Sequence, residues 1–129
     1  MKKILFVCIE NSNRSQMAEA FVRMTGRENI EVYSAGSRPS GKINPKAIEA
    51  MKELGYDLTT HKSKSLEDLP QTTFDYVITM GCGDECPWIP TKLREDWALV
   101  DPKSMEPAEF RKVRDEIKKR VNELILRLA

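Results

Sequence analysis

The chain has 129 residues, 40% of them hydrophobic, which is enough for one good core and too little for two, so we expect a single catalytic domain spanning residues 1–129. Its 21 basic and 20 acidic residues leave a formal net charge of +1, which gives no case for a general nucleic-acid or membrane-surface binder. No apolar run approaches a membrane span and the N-terminus is too short for a secretory signal, so we expect a cytoplasmic protein.

Four segments have the composition of strands, and three helices alternate with them. The predicted strands are residues 4–7, 30–34, 74–80 and 97–100. The predicted helices begin at Ser15, at Asn44-Pro45 and near Pro107, and a short capped helix follows Ser65. Each long helix carries an apolar stripe; the stripes are Met17, Ala18, Phe21 and Met24, then Ala47, Ile48, Met51 and Leu54, then Phe110, Val113, Ile117, Val121, Leu124, Ile125 and Leu128.

This alternation predicts an α/β fold with a parallel sheet, right-handed crossovers and helices on both faces. The carboxyl ends of parallel strands share one edge, where ligands bind. The sequence therefore brings four chemically useful residues to that edge: Cys8, Ser34, Cys82 and Asp101.

The segment from Cys8 to Ser15 joins the first strand to the first helix, and we call residues 8–15 the oxyanion loop. Short polar side chains in such a turn let backbone N–H groups point inward, and the helix adds its positive end. The Arg14 guanidinium can hold two oxygens of a tetrahedral anion, and these donors favour the thiolate of Cys8. We therefore predict a nucleophilic cysteine below an oxyanion bound by Ile9, Glu10, Asn11, Ser12, Asn13 and Arg14.

Two neighbours of the nucleophile have more than one interpretation. Ser15 can donate to the Cys8 thiolate and stabilise it as a leaving group, or it can simply cap the helix. Asp101 is followed by Pro102, and from the residues alone this pair is a turn signal, although an acid at a strand end can also protonate a departing oxygen.

The chain resembles the low-molecular-weight protein tyrosine phosphatase superfamily, and specifically its thioredoxin-coupled arsenate reductase branch. The resemblance is carried by nearly the whole chain: Cys8 to Arg14 with the following Ser-Gln-Met-Ala-Glu, Ser34-Ala35-Gly36, Asn44-Pro45-Lys46-Ala47, Cys82, Cys86 and Asp101-Pro102. It implies a four-stranded sheet of order 2-1-3-4, arsenate or phosphate as ligand, and Asp101 as the proton donor.

Cys82 and Cys86 distinguish a reductase from a phosphatase. A phosphatase needs only Cys8, an acid or base, and water. A reductase also needs electrons, which a thiolate relay supplies: Cys82 displaces the arsenic from Cys8, and Cys86 then takes over the disulfide. The resemblance implies a thioredoxin-like protein as the final reductant and no cofactor.

The three cysteines also allow a metal site. An odd number of cysteines argues against a static disulfide framework and favours reactive or metal-binding thiols. Zinc held by Cys8, Cys82, Cys86 and His61 is possible in number, but it would consume the activated thiolate, so we expect no metal.

The chain departs from the family pattern at several positions. Asn13 stands where many members have a further cysteine, and Glu10, where glycine is common, must point away from the anion. Some relatives hold potassium with four residues; Asn11, Glu19 and Ser34 match three of them. Lys64 stands at the fourth position and its ammonium can replace the ion, so the resemblance does not lead us to predict potassium. The tyrosine pair of the phosphatases is missing after Asp101.

The leading hypothesis is thus arsenate reduction by a monomer with Cys8, Arg14, Ser15, Asp101, Cys82 and Cys86 as catalytic residues. Its rivals are a phosphatase acting on phosphomonoesters and a non-enzymatic metal- or redox-sensing module.

Overall fold

The computed structural model describes residues 1–81 and 88–128, so Cys82 and Cys86 lie outside the described residues. Within these ranges the sheet has four parallel strands in the order β2-β1-β3-β4, which confirms the expected 2-1-3-4 order. The strands are β1 Lys2–Cys8, β2 Ile30–Gly36, β3 Phe74–Thr79 and β4 Thr91–Asp96. The α-helices are α1 Arg14–Met24, α2 Pro45–Lys52 and α3 Pro107–Leu128, with single 3₁₀ turns at Leu58–Thr60 and Leu66–Asp68.

The two faces of the sheet are covered unequally. The larger core cluster joins the β1 side chains Ile4 and Phe6 to all three α-helices. The smaller cluster contains Leu5 and Val7 on the opposite face, where the 3₁₀ turn Leu66–Asp68 provides part of the cover. Since β1 is buried on both faces, it is the centre of the molecule and presents its last residue, Cys8, at the carboxyl edge.

The prediction of the fourth strand was wrong. Residues 97–100 are apolar but lie after the strand, and β4 is instead the polar segment Thr91–Asp96. This strand forms the sheet's edge and is largely exposed, so its sequence carries no hydrophobic signal. Trp97 is 2% exposed because its ring fills the core 5.7 Å from that of Phe6. Asp101 therefore lies in a loop beyond β4 and not at a strand end.

The helix predictions need one correction. The α2 start is confirmed: Asn44 accepts a hydrogen bond from Lys46 N, and Pro45 occupies the first turn. In α1 the predicted stripe is buried except for Met24, which is 43% exposed. Met24 is the last residue of that helix, and Val22 takes the buried position in the final turn. In the described part of the chain, no helix has the length and apolar character to span a membrane.

Candidate active site

Cys8 lies at the end of β1 and is 2% exposed. Each backbone carbonyl of residues 8–13 accepts a hydrogen bond, and the donors lie outside the concave side of the oxyanion loop. Their donors, in chain order, are Ser37 N, Arg38 N, Ser40 N with Ser63 Oγ, Gln16 Nε2, Asn44 N and Met17 N. Most of these donors belong to the segment 37–44, which follows β2 and wraps the outside of the loop.

This arrangement fixes the direction of the loop amides. A trans peptide holds its N–H opposite to its C=O, so carbonyls that face outward leave the amides of the following residues facing inward. One of these contacts is observed directly: Asn11 N lies 3.3 Å from Cys8 Sγ. Asn11 has a positive φ of 52°, which gives the loop the turn that it needs. The sulfur thus lies at the base of a concavity lined by donors.

A chain of buried side chains continues from the sulfur. Ser15 Oγ lies 2.7 Å from Cys8 Sγ and accepts from Asn11 Nδ2 at 2.8 Å. The side-chain oxygen Oδ1 of Asn11 in turn accepts from Gln16 Nε2 and from Lys64 N, both at 2.7 Å. Ser15 is therefore in contact with the nucleophile, and the residue at the N-cap of α1 is Asn13.

The far end of this chain contains the single histidine. His61 Nδ1 is 2.9 Å from Gln16 Oε1, which has only acceptor lone pairs, and His61 Nε2 is 2.6 Å from the Tyr56 hydroxyl. A neutral ring that donates from Nδ1 and accepts at Nε2 satisfies both contacts. Burial lowers the pKa of His61 more than the nearby Glu19 carboxylate raises it, which favours this neutral form. Both nitrogens are engaged, so neither is free to bind a metal.

Arg14 is 4% exposed and is held from behind. Its Nη1 donates to the carbonyls of Met80 and Leu99, and its Nη2 lies 4.0 Å from Asp101 Oδ2. Its Nε is buried and has no hydrogen-bond partner within residues 1–81 and 88–128. A buried guanidinium N–H without an acceptor is costly, and an oxyanion above Cys8 would supply the missing acceptor.

Asp101 lies at the edge of the predicted anion site, although it belongs to the loop that follows β4 and not to the strand itself. A small concavity is lined by Cys8, Glu10, Ser12, Asn13, Arg14 and Asp101. Asp101 Oδ1 accepts from Lys103 N at 3.0 Å, and the side chain is 47% exposed. Glu10 turns its carboxylate to Lys103 Nζ at 2.9 Å, so its negative charge is paired.

Glu19 is a buried carboxylate that is 4% exposed. Ser34 Oγ donates to Glu19 Oε1, and Lys64 Nζ lies 3.4 Å from the same oxygen. Burial opposes the ionisation of Glu19, but the Ser34 hydroxyl, the Lys64 ammonium and the Arg23 guanidinium together outweigh it, and the pKa of Glu19 is lowered. The Lys64 ammonium thus supplies a positive charge beside the buried Glu19 carboxylate. Among the described residues, no group of three or more His, Cys, Asp or Glu side chains could hold a metal ion.

Gly81 is the last described residue before Cys82, and it is fixed beside Arg14. Its N–H donates to Asp96 Oδ1 at 3.3 Å, and its φ is +82°. A Cβ at this position would lie 3.1 Å from Arg14 Nη1 and 2.6 Å from Leu99 O. Gly81, which precedes Cys82 in the sequence, therefore lies beside the guanidinium of Arg14.

Four residues of the site were not found from the sequence: Gln16, Tyr56, Asp96 and Lys103. Asp96 carried the clearest available signal, since it is an acid at the end of the actual fourth strand. The other three contribute contacts between distant segments, which no local pattern encodes.

A central parallel strand ends at a buried cysteine, which lies next to a donor-lined loop and an arginine at the start of the next helix. These features define the class of proteins that use a cysteine nucleophile on a bound oxyanion. The chain belongs to the Low molecular weight phosphotyrosine protein phosphatase family, whose pattern matches residues 3–129.

Known relatives match this chain over nearly all of its length. It is 40% identical over 132 residues to a glutaredoxin arsenate reductase of Synechocystis sp., covering 100% of both chains. Its fold is similar to a solved arsenate reductase in a phosphate-binding state, with a TM-score of 0.88, 40% identity and 100% coverage of both chains. It is also similar to a thioredoxin-dependent arsenate reductase of Corynebacterium glutamicum, with a TM-score of 0.77 and 36% identity over 96% of this chain and 60% of that one.

Proposed function

We propose that this protein reduces arsenate to arsenite by a thiol relay. The observation that carries the proposal is that the buried Cys8 sulfur accepts from Asn11 N and lines the same concavity as Arg14, whose Nε has no hydrogen-bond partner among the described residues. The names of the similar proteins point to the same activity, since both the Synechocystis relative and the solved neighbours are arsenate reductases.

In the first step, the Cys8 thiolate attacks the arsenic of bound arsenate. An S–As bond forms and one As–O bond breaks. The loop amides and Arg14 hold the remaining oxygens, and their fixed orientation stabilises the added charge. Asp101 protonates the departing oxygen, which leaves as water. Its place at the rim, 4.0 Å from Arg14 Nη2, supports this role.

In the second step, the Cys82 thiolate attacks the Cys8 sulfur. A disulfide forms between them, the S–As bond breaks, and its electron pair stays on arsenic, so As(V) becomes As(III) and arsenite leaves. The Cys86 thiolate then attacks Cys82, forms the Cys82–Cys86 disulfide and releases Cys8 as a thiolate. The position of Gly81 beside Arg14 supports this route, because the chain continues directly from it to Cys82.

A dithiol protein of the thioredoxin type then reduces the Cys82–Cys86 bond. Two relatives support this class of partner through their names, one a glutaredoxin arsenate reductase and the other thioredoxin-dependent. We further propose that residues 1–129 act as one catalytic domain and as a monomer, without a metal or cofactor.

A phosphatase is the second candidate, because the family is one of phosphotyrosine phosphatases and the first step needs only Cys8, Arg14 and an acid. Cys82→Ser separates the two functions. We expect it to abolish multiple-turnover arsenate reduction and to leave hydrolysis of p-nitrophenyl phosphate unchanged. Cys8→Ser is the matched control and should abolish both. Equal loss of both activities in Cys82→Ser would overturn the relay.

The sensing module is tested by metal analysis of the purified wild-type protein. We expect less than stoichiometric zinc. One tightly held zinc per chain, lost in Cys8→Ser, would favour the metal-binding alternative.

A further inference from the structure

Lys103 contacts both the oxyanion loop and Asp101. Its Nζ lies 2.9 Å and 3.4 Å from the two carboxylate oxygens of Glu10. Its backbone N donates to Asp101 Oδ1 at 3.0 Å. A single residue thus joins the loop that surrounds Cys8 to the side chain expected to deliver the proton.

The segment around Lys103 has a second attachment. Lys46, in the first turn of α2, donates from Nζ to the carbonyls of Lys103 and Met105 at 3.1 Å and 2.8 Å. Met105 N also bonds to Pro102 O at 2.9 Å. These contacts support the segment from α2, whereas the Glu10 pair attaches it to the oxyanion loop at 2.9 Å and Arg14 lies 4.0 Å from Asp101 itself.

We infer that the Glu10–Lys103 ion pair is a clasp that positions Asp101 over the Cys8 sulfur, so that Glu10 and Lys103 are positioning residues for the proton transfer. This inference rests on the proposed function, since it needs Asp101 to act as the acid. It explains why a carboxylate is tolerated beside an anion site: the charge of Glu10 is paired across the rim, and the pairing orders the loop that carries Asp101.

The clasp and a purely electrostatic effect predict opposite results for Glu10→Gln. Removing a negative charge beside the site should help an anion to bind, so an electrostatic effect alone lowers the half-saturating arsenate concentration and leaves the chemical rate unchanged. Loss of the clasp instead lowers the rate, because Asp101 is correctly placed for a smaller fraction of the time.

The experiment measures the single-turnover rate constant at saturating arsenate, without reductant, and separately the half-saturating arsenate concentration. We expect Glu10→Gln and Lys103→Met each to lower the rate constant by about 2- to 5-fold, the range set by an exposed ion pair. The double variant should match the single variants, and Lys103→Arg should restore the rate. Lys112→Met breaks a comparable surface pair with Glu109 on α3 and is the matched control.

A second measurement does not depend on catalysis. Amide hydrogen exchange of residues 103–105, followed by NMR, should be faster in Glu10→Gln and in Lys103→Met than in the wild type, and unchanged in Lys112→Met. An unchanged rate constant in Glu10→Gln together with unchanged exchange would overturn the clasp. If the wild type fails to consume arsenate, the proposed function fails, and the exchange data still decide whether the clasp holds the loop.

Discussion

Ser15 Oγ lies 2.7 Å from Cys8 Sγ while accepting a hydrogen bond from Asn11 Nδ2. Because one lone pair of the hydroxyl is taken by Asn11, its proton is free to point at the sulfur. Gln16 and His61 continue the same order of donors and acceptors on the far side of Asn11. In each of these hydrogen bonds the donor is the group farther from Cys8 along the series. The series therefore ends with the Ser15 hydroxyl, which donates to the sulfur.

Ser15→Ala should slow the release of the Cys8 thiolate from the Cys8–Cys82 disulfide. The hydroxyl stabilises the sulfur as it leaves with negative charge, and a hydrogen bond to a charged group contributes about 1.5–3 kcal/mol, or roughly 10- to 100-fold in rate. Rapid-quench kinetics of the conversion of the Cys8–Cys82 disulfide into the Cys82–Cys86 disulfide measures this step. The control is Ser37→Ala, which removes a buried hydroxyl without a hydrogen-bond partner in the described part of the chain, and it should leave the rate unchanged. Equal rates for Ser15→Ala and wild type would contradict the role assigned to the hydroxyl.

Gly36→Ala should destroy oxyanion binding. A Cβ at this position would lie 2.5 Å from Ile9 O and 2.9 Å from Asn11 N, so the oxyanion loop must shift, at a cost of about 1–3 kcal/mol in unfolding free energy. Binding at this site is measured as the protection that bound phosphate gives Cys8 against an alkylating reagent. Gly41→Ala is the control: its φ of +82° also penalises a side chain, but nothing lies within 4 Å of the added Cβ. Protection retained in Gly36→Ala would show that the carbonyl contacts of the loop are dispensable.

Lys64→Asp should make the stability of the protein depend on potassium. The substitution removes the ammonium beside Glu19 and places a carboxylate near the oxygens of Glu19 and Ser34, and oxygen ligands suit a hard cation. Potassium at ten times its Kd should restore about 1.4 kcal/mol of unfolding free energy. Thermal unfolding in KCl and in tetramethylammonium chloride of equal ionic strength gives the comparison. The wild type should show the same Tm in both salts, and a variant with the same behaviour would rule out the cation interpretation.

His61 should make the folded state less stable as the pH falls from 7 toward 5. Since the pKa of His61 is lowered in the folded state, the unfolded chain binds a proton first, below its ordinary value of about 6.5. The lowered pKa of Glu19 acts in the same direction at more acidic pH: its stabilising effect is complete above about pH 4.5 and is lost as the pH falls through the folded value.

Urea unfolding at several pH values tests this dependence. His61→Gln removes the only histidine, so the slope of unfolding free energy between pH 5 and 7 should flatten, while the decline on the more acidic side remains. A slope equal to that of the wild type would show that other groups control this range.

The oxyanion loop and the parallel sheet could be predicted because they depend on local composition and on the alternation of elements, whereas the sheet order followed only from the family resemblance. The prediction from the sequence failed at β4, where the edge strand is polar and the apolar Trp97 belongs to the core. It also placed Asp101 at a strand end, whereas a longer loop brings it to the rim. Contacts such as Asp96 with Gly81 depend on the assembled sheet, and no segment by itself contains them.

The central claim is that oxidation passes from Cys8 to Cys82 and then to Cys86. The most direct test is to give the fully reduced protein one equivalent of arsenate without any reductant, to block free thiols, and to map the disulfides by mass spectrometry. We expect a Cys82–Cys86 disulfide, an alkylated Cys8 and one equivalent of arsenite. Three alkylated cysteines with arsenate unchanged, or a final disulfide that retains Cys8, would contradict the relay.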